Sequence, residues 1–151
     1  MPARSDAPND LPSAPTVAAL IRHGAAAFDR AGLAYGHGTD NAVDEPAALV
    51  SHALGLDHGA AEAAYALTPD ATGVARVLAL FAERIRRRVP AAYLMGRMWF
   101  AGLEFEVDPR VIVPRSPFAE LIQAGFAPWI DPGRVRRILD IGTGSGCIAI
   151  A

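Results

Sequence analysis

The last thirteen residues of the chain have the residue types and the spacing of a ligand-binding turn; they read LDIGTGSGCIAIA. An apolar run leads to the acidic Asp140, and glycines follow at every second position, Gly142, Gly144 and Gly146. Glycines after a strand let the chain turn sharply and let a ligand approach the backbone. The N-terminus of a helix that follows such a turn favours negative charge. The pattern therefore predicts a buried strand, a ligand-binding turn and the first turn of a helix.

The glycine spacing separates two classes of cofactor. A dinucleotide-binding turn needs G-x-G-x-x-G/A, and Cys147 occupies the last of those positions when the count starts at Gly142. The pattern D-x-G-x-G-x-G instead resembles the first motif of class I S-adenosylmethionine-dependent methyltransferases. That resemblance implies S-adenosylmethionine as cofactor, bound by Asp140, Gly142, Thr143, Gly144, Ser145 and Gly146. A tight strand–helix turn without a ligand remains the alternative.

A second run narrows the family. The residues from Pro90 to Leu121 read PAAYLMGRMWFAGLEFEVDPRVIVPRSPFAEL and are similar to the β-hairpin linker of the HemK family of glutamine methyltransferases. Two stretches, VPRSP from Val113 and YGHGTDNAVDE from Tyr35, resemble the branch that modifies ribosomal protein L-three. The resemblance covers about residues 16–151.

The resemblance implies a function and a set of roles. The acceptor would be a glutamine side-chain amide of ribosomal protein L-three, the helical region would recognise that substrate, and Arg115 would line the cofactor pocket. A salt bridge between hairpin and domain is the alternative role for Arg115. Family members position the acceptor with an Asn-Pro-Pro-Tyr motif, whereas the asparagines here are Asn9 and Asn41, and neither precedes Pro-Pro. We therefore assign no catalytic residue and expect the chain to be inactive by itself.

Apolar periodicity and capping residues predict the elements. Helices are expected from Thr16 to Gly32, from Asp44 to Gly55, over about Gly59–Leu67, from about Thr68 to Val89, and after Ser116 with Phe118, Leu121 and Ile122 inward. Alternation over Leu103–Val107 predicts the second strand of a hairpin that turns at Ala101–Gly102, and Trp99 and Phe100 are expected in its core. Two further strands are expected, "RVIV" from Arg110 and "RRILDI" from Arg136.

These elements predict an α/β protein. A disordered leader is expected over residues 1–15, an all-helical substrate-recognition domain over 16–96 and a β-hairpin connector over 97–115. Residues 116–151 are then the truncated start of a class I, Rossmann-like methyltransferase domain.

Composition and the distribution of apolar residues argue against several classes of protein. The formal net charge is −2, which argues against bulk electrostatic binding of nucleic acid, although all fourteen basic residues are arginine and a local basic patch remains open. No apolar run has the length of a membrane span, and the first residues lack a signal-peptide core, so a cytoplasmic protein is expected. The single cysteine, Cys147, excludes an internal disulfide and is expected to be a small buried residue.

Two other groups of residues invite a functional interpretation. His37, Asp40 and Asp44 could ligate a metal, but residues of these types also form turns and caps, so no metal site is predicted. The role of the loop with His37, Asp40 and Asn41 stays open between substrate contact and domain docking. The basic helix end is a candidate for ribosomal RNA or substrate contact, with a solvated helix end as the alternative; its arginines are Arg84, Arg86, Arg87 and Arg88.

A function of another class remains as a rival. The chain could be a non-catalytic helical interaction module that docks on a protein partner, with a vestigial cofactor turn. The coding sequence downstream of Ala151 would separate the two hypotheses, since an open frame with Asn-Pro-Pro-Tyr supports the enzyme and a stop codon supports the module.

Overall fold

A computed structural model of the protein describes residues 11–35, 43–57, 62–114 and 116–151. The described residues divide into two compact units, one ending at Val89 and one running from Pro90 to Ala151. Most of the predicted leader lies outside these ranges, but its last residue, Pro15, is buried. None of the helices in the described ranges combines the length and the apolar character needed to cross a bilayer.

The first unit is helical. It contains α1 (Val17–Arg30), α2 (Asp44–Leu54), a 3-10 helix (Glu62–Ala66) and α3 (Ala71–Arg87). The predicted cap of α1 is confirmed, because the Thr16 hydroxyl accepts a hydrogen bond from the Ala19 amide at 3.2 Å. Asp70 caps α3 in the same way, accepting from the Gly73 amide at 2.6 Å. The predicted end of α2 at Gly55 is also confirmed, since this residue adopts the left-handed conformation that glycine favours.

The core of the first unit lies where the three long helices cross. Phe28 and Phe81 meet edge to face with ring centroids 5.3 Å apart. The α1 backbone approaches closely at Gly24, because a Cβ there would lie 2.6 Å from the Phe81 ring and 2.8 Å from the Pro46 Cβ. The core therefore depends on a small residue on α1 as well as on the apolar stripes that the sequence predicts.

A buried ion pair ties α2 to α3. Glu45 and Arg84 are each 2% exposed, and the Arg84 Nε donates to the Glu45 carboxylate. The other end of the guanidinium donates to the Ala34 carbonyl at 3.2 Å. Next to this carbonyl, the Tyr35 hydroxyl donates to Asp29 at 3.1 Å. Burial and the Asp29 carboxylate raise the pKa of Tyr35 to about 12, since both disfavour the tyrosinate.

The second unit is built around the hairpin. A short helix that was not predicted, α4 (Ala91–Met95), precedes β1 (Arg97–Phe100) and β2 (Leu103–Glu106), which pair antiparallel. The predicted turn is confirmed, with positive φ at Ala101 and Gly102. Phe100 is buried as predicted, but the placement of Trp99 in the core was wrong, because cross-strand pairing with Glu104 puts it on the exposed face, where it is 40% exposed.

A small core holds this hairpin. Ala92, Val107 and Val113 are buried, and Tyr93, Met98 and Phe105 pack against them. The Tyr93 hydroxyl donates to the Val111 carbonyl at 2.6 Å, which fixes the segment after the hairpin. Beyond β2, the Arg110 guanidinium donates two hydrogen bonds to the Asp108 carboxylate and lowers the pKa of Asp108 to about 2.

Two predicted strands are absent from the described part of the chain. Neither "RVIV" nor "RRILDI" is extended in a sheet, and the one sheet in the described ranges consists of β1 and β2. Ile138, Leu139 and Ile141 are 82–85% exposed, so the expectation that this run is buried was wrong. The physical reason is that a strand needs a neighbour to satisfy its backbone groups and cover its side chains.

The remaining helices of the second unit are short. They are α5 (Phe118–Gln123), a 3-10 helix (Pro132–Arg134) and α6 (Cys147–Ile150). The prediction that Ser116 caps α5 was wrong by one residue, because Pro117 is the N-cap and the Ser116 hydroxyl accepts from the Phe118 amide at 3.1 Å in the turn before it. The inward placement was wrong for Phe118, which is 44% exposed, whereas Leu121 and Ile122 are partly buried. Phe118 instead meets Phe126 edge to face. The Rossmann-like part of the predicted fold thus remains a proposal, while the mixed helix and sheet content is as expected.

Candidate functional site

The glycine loop, residues 140–147, has the backbone geometry expected of a ligand-binding turn. Its three glycines have φ of 77°, 57° and 80°, a region that residues with a Cβ adopt rarely. The Gly146 amide donates to the Thr143 carbonyl at 2.9 Å, and the Thr143 hydroxyl donates to the Asp140 carbonyl at 3.3 Å. These bonds hold the loop as a compact series of turns that ends at α6.

Open space lies above the first two glycines of the loop. A Cβ built on Gly142 would meet nothing within 4 Å, and one on Gly144 would meet only the Ile112 Cγ2 at 3.8 Å and the Gly142 carbonyl at 3.9 Å. Glycine is therefore required here for its conformation and not because neighbouring atoms fill the space. The backbone is accessible to a ligand on this side, which is the property that the sequence pattern predicts.

Asp140 supplies a carboxylate at the start of the loop. The residue is partly buried. Its Oδ2 atom is shielded from solvent and has no hydrogen-bond partner among the described residues. A shielded carboxylate oxygen without a donor is costly unless a ligand or water supplies one. This oxygen is suited to accept a hydrogen bond from an ammonium or a hydroxyl group.

The segment that follows the hairpin lies beside the glycine loop. Ile112 is the nearest side chain to the Gly144 position. Arg115, predicted to line the cofactor pocket, lies outside the described residues. Thr143 and Ser145 lie in the loop itself, and the Ser145 hydroxyl is 3.4 Å from the Cys147 amide that it accepts from. Cys147 is buried, as predicted.

The other candidate residues behave differently. Among the described residues there is no group of three or more His, Cys, Asp or Glu side chains that could hold a metal ion, and His37, Asp40 and Asn41 lie outside those residues. Within the basic helix end, Arg84 is buried against Glu45, so its predicted contact with RNA was wrong. A desolvated arginine is kept in the core by its carboxylate partner and is not available to a phosphate.

The remaining arginines of the basic helix end are at the surface but are engaged. Arg86 and Arg87 pair with Glu83 at 2.5 and 2.9 Å, and Arg88 donates to the Gly32 and Ala31 carbonyls at 3.0 and 2.8 Å. Two arginine partners lower the pKa of Glu83. Most of these arginines are therefore engaged in ion pairs within α3 or in hydrogen bonds to the carbonyls at the end of α1.

Sequence reasoning missed a surface groove in the first unit. It lies between the end of α2 and the exposed side of α3, and Leu54, Arg76, Leu80 and Glu83 are among the residues that line it. The signal was present, since positions 76, 80 and 83 recur at helical spacing next to the buried stripe. The apolar pattern by itself predicts only the buried face of the helix.

Comparison with known proteins gives long matches at high identity. A protein from Xanthomonas campestris pv. campestris is 54% identical over 136 residues, one from Xylella fastidiosa is 56% identical over 138 residues, and one from Bordetella pertussis is 47% identical over 136 residues. Each is named ribosomal protein uL3 glutamine methyltransferase. No protein-family model matches the chain.

The matches cover a much larger share of this chain than of the relatives. They cover 89–90% of this chain but 44–46% of the relatives, so the chain spans about half the length of the curated relatives that it matches. Ribosomal protein uL3 is the L-three protein that the VPRSP and YGHGTDNAVDE stretches indicated. The predicted resemblance is thereby confirmed: the chain is a partial match to the family of ribosomal protein uL3 glutamine methyltransferases.

Proposed function

We propose that the chain is the N-terminal part of an S-adenosylmethionine-dependent enzyme that methylates a glutamine side-chain amide of ribosomal protein uL3. The names of the relatives support the reaction and the acceptor. The single observation that carries the cofactor assignment is the glycine loop, in which an accessible backbone with three left-handed glycines follows a shielded carboxylate oxygen without a donor.

The residues of the loop fit the chemistry of this cofactor. S-adenosylmethionine, when bound, supplies an electrophilic methyl group on a cationic sulfur. Asp140 provides the negative charge that an ammonium or a ribose hydroxyl would satisfy, and the glycines leave the backbone free to approach the ligand. The cofactor carries no phosphate, so the absence of lysine from the whole sequence is no obstacle. We assign Arg115 to the same pocket on the basis of the family resemblance.

The roles of the remaining parts follow from this assignment. The helical unit recognises the acceptor protein, and the hairpin connects it to a domain of which residues 116–151 form the first part. The group that positions the acceptor amide is supplied by residues outside this sequence, since neither Asn9 nor Asn41 precedes Pro-Pro. In-line transfer depends mainly on that positioning and on exclusion of water.

The test is methylation by a completed protein. We define the chimera as this chain followed by the part of the Xanthomonas campestris relative that the chain does not cover. Incubated with labelled S-adenosylmethionine and purified ribosomal protein uL3, the chimera is expected to place label on one glutamine, located by mass spectrometry of the digested protein. Label on other residue types only, or no label although the chimera binds the cofactor, would contradict the proposal.

A further inference from the structure

The floor of the groove between α2 and α3 is formed mainly by apolar side chains. The groove has a volume of about 780 Å³ and is shallow, being largely open to solvent along its length. Leu54 and Leu80 are partly buried and form the apolar part of the lining with Ala53 and the exposed Ala79, and His52 also lines the groove. Gly73 permits this arrangement, because a Cβ there would lie 2.8 Å from the Leu54 side chain.

The charge available to a ligand at the edge of the groove is positive. Arg76 is exposed, and no ion pair or hydrogen bond of its guanidinium is found in the part of the chain that the structure describes. Glu83, the acidic residue of the lining, is engaged through both of its oxygens by Arg86 and Arg87. The groove therefore presents an apolar floor beside an available guanidinium, and the nearby carboxylate is already neutralised.

This combination selects the chemistry of an occupant. A guanidinium that faces solvent beside apolar side chains favours a carboxylate, which it can bind through two parallel hydrogen bonds. The apolar floor favours a side chain adjacent to that carboxylate. Because the groove is open along its side, it suits a segment of polypeptide better than an enclosed small molecule.

We propose that the α2–α3 groove binds a segment of the acceptor protein in which an acidic residue adjoins an apolar one. The identity of the partner rests on the proposed function. Arg76 acts as the anchor for the carboxylate, Leu54 and Leu80 contact the apolar side chain, and Ala79 leaves room for it. The groove is thus a recognition site apart from the glycine loop, and it needs no cofactor.

Binding of peptides tests the groove directly. Overlapping peptides spanning ribosomal protein uL3 are titrated into the 151-residue chain by fluorescence anisotropy. The peptides that bind are expected to contain an acidic residue next to an apolar one. Arg76→Glu is expected to weaken them by roughly tenfold or more, the scale of a residue that dominates an interface. Ala79→Gln, which keeps a good helix former but fills the floor, is expected to weaken them as well.

The matched control is Arg22→Glu, the same charge reversal at an exposed position of α1 that does not line the groove. Equal weakening by Arg22→Glu and Arg76→Glu would overturn the proposal. So would binding only of basic peptides, or no binding of any peptide by the unsubstituted chain. Circular dichroism of each variant checks that the helices are intact; should Arg76→Glu unfold the chain, Arg76→Gln takes its place, with the same expected direction.

Methylation by the chimera keeps this inference separate from the proposed function. Arg76→Glu in the chimera is expected to raise KM for uL3 roughly tenfold relative to Arg22→Glu. If the chimera methylates uL3 with the same KM in both variants, the groove proposal fails and the proposed function stands. If peptides bind through Arg76 but the chimera does not methylate uL3, the proposed function fails and the groove stands.

Discussion

At the scale of single residues, the molecule uses a few polar groups in places where their surroundings set their behaviour. Asp140 has a shielded oxygen without a donor at the glycine loop, which suits it to a ligand. Arg84 looked like part of a basic surface but is buried with Glu45. Residue type alone did not separate these roles; the decisive factor is which partner lies within hydrogen-bond distance.

Tyr35 offers a pH-dependent test of the local structure. Its pKa is raised from 10.0 to about 12, so the folded chain holds this proton more tightly than the unfolded chain does. The resulting contribution to stability is complete below pH 10 and is lost as the pH rises towards 12. Titration of tyrosinate absorbance should show one step at about pH 12 that disappears in Tyr35→Phe. The step should move to lower pH in Asp29→Asn, and an unchanged step in both variants would contradict the assignment.

At the scale of elements, the long helices of the first unit were predicted well, whereas α4 was not predicted and the strands expected beyond the hairpin are absent from the described residues. The helices of the first unit carry their own signals, such as the Thr16 cap and the glycine at position 55, and each pairs with a neighbour nearby in sequence. The hairpin is equally local. The run through Ile138 and Leu139 has the composition of a buried strand, but its state depends on partners that local sequence does not contain.

The candidate site was predictable in part for the same reason. The glycine loop is a local pattern, and its positive φ angles follow from the glycines themselves. The nearness of Ile112 to Gly144 and the groove beside Arg76 are tertiary features, created when segments distant in sequence pack. Periodicity identified the buried stripe of α3 and places positions 76, 80 and 83 beside it, but it does not show that α2 forms a groove with them.

The Glu45–Arg84 pair should control the packing of α2 on α3. Arg84→Met removes the guanidinium that contacts the buried Glu45 carboxylate, and we expect a loss of about 3–5 kcal/mol of the free energy of unfolding. The double variant Glu45→Leu with Arg84→Met should recover much of that loss, because both buried charges are replaced by apolar side chains. Urea denaturation followed by circular dichroism measures both. A double variant no more stable than Arg84→Met would show that the pair does not act through charge.

Hydrogen exchange should distinguish the two ends of the chain. The helix α3 around Phe81 is packed on two neighbours, whereas residues 139–151 are mostly exposed and four of them form a short helix. We expect strong protection of amides near Phe81 and rapid exchange over residues 139–146 in the 151-residue chain. Equal protection of the two segments, measured by mass spectrometry, would contradict this view of their stability.

At the scale of the whole molecule, the described residues form a helical unit with its own core and a second unit that carries the glycine loop. Each has buried residues of its own, Phe28 and Phe81 in one and Val107 and Val113 in the other. This arrangement agrees with the proposed roles, recognition by the helical unit and cofactor binding by the loop.

The 151-residue chain alone is expected to transfer no methyl group. It has no Asn-Pro-Pro-Tyr motif to position the acceptor amide, and its glycine loop is not part of a sheet. Incubation with labelled cofactor and ribosomal protein uL3 should leave the acceptor unlabelled, while the chimera, assayed in parallel, labels it. Label on a glutamine above background with the chain alone would contradict this expectation.

The most direct test of the account is calorimetric titration of S-adenosylmethionine into the chimera and its variants. Gly144→Val is expected to abolish binding, because a β-branched residue resists the positive φ of 57° at this position. Asp140→Ala should weaken binding by about 1–3 kcal/mol, the range for hydrogen bonds to charged groups. Arg86→Ala, in the helical unit, should leave the affinity unchanged. Unchanged affinity in both Gly144→Val and Asp140→Ala would mean that the glycine loop is not the cofactor site.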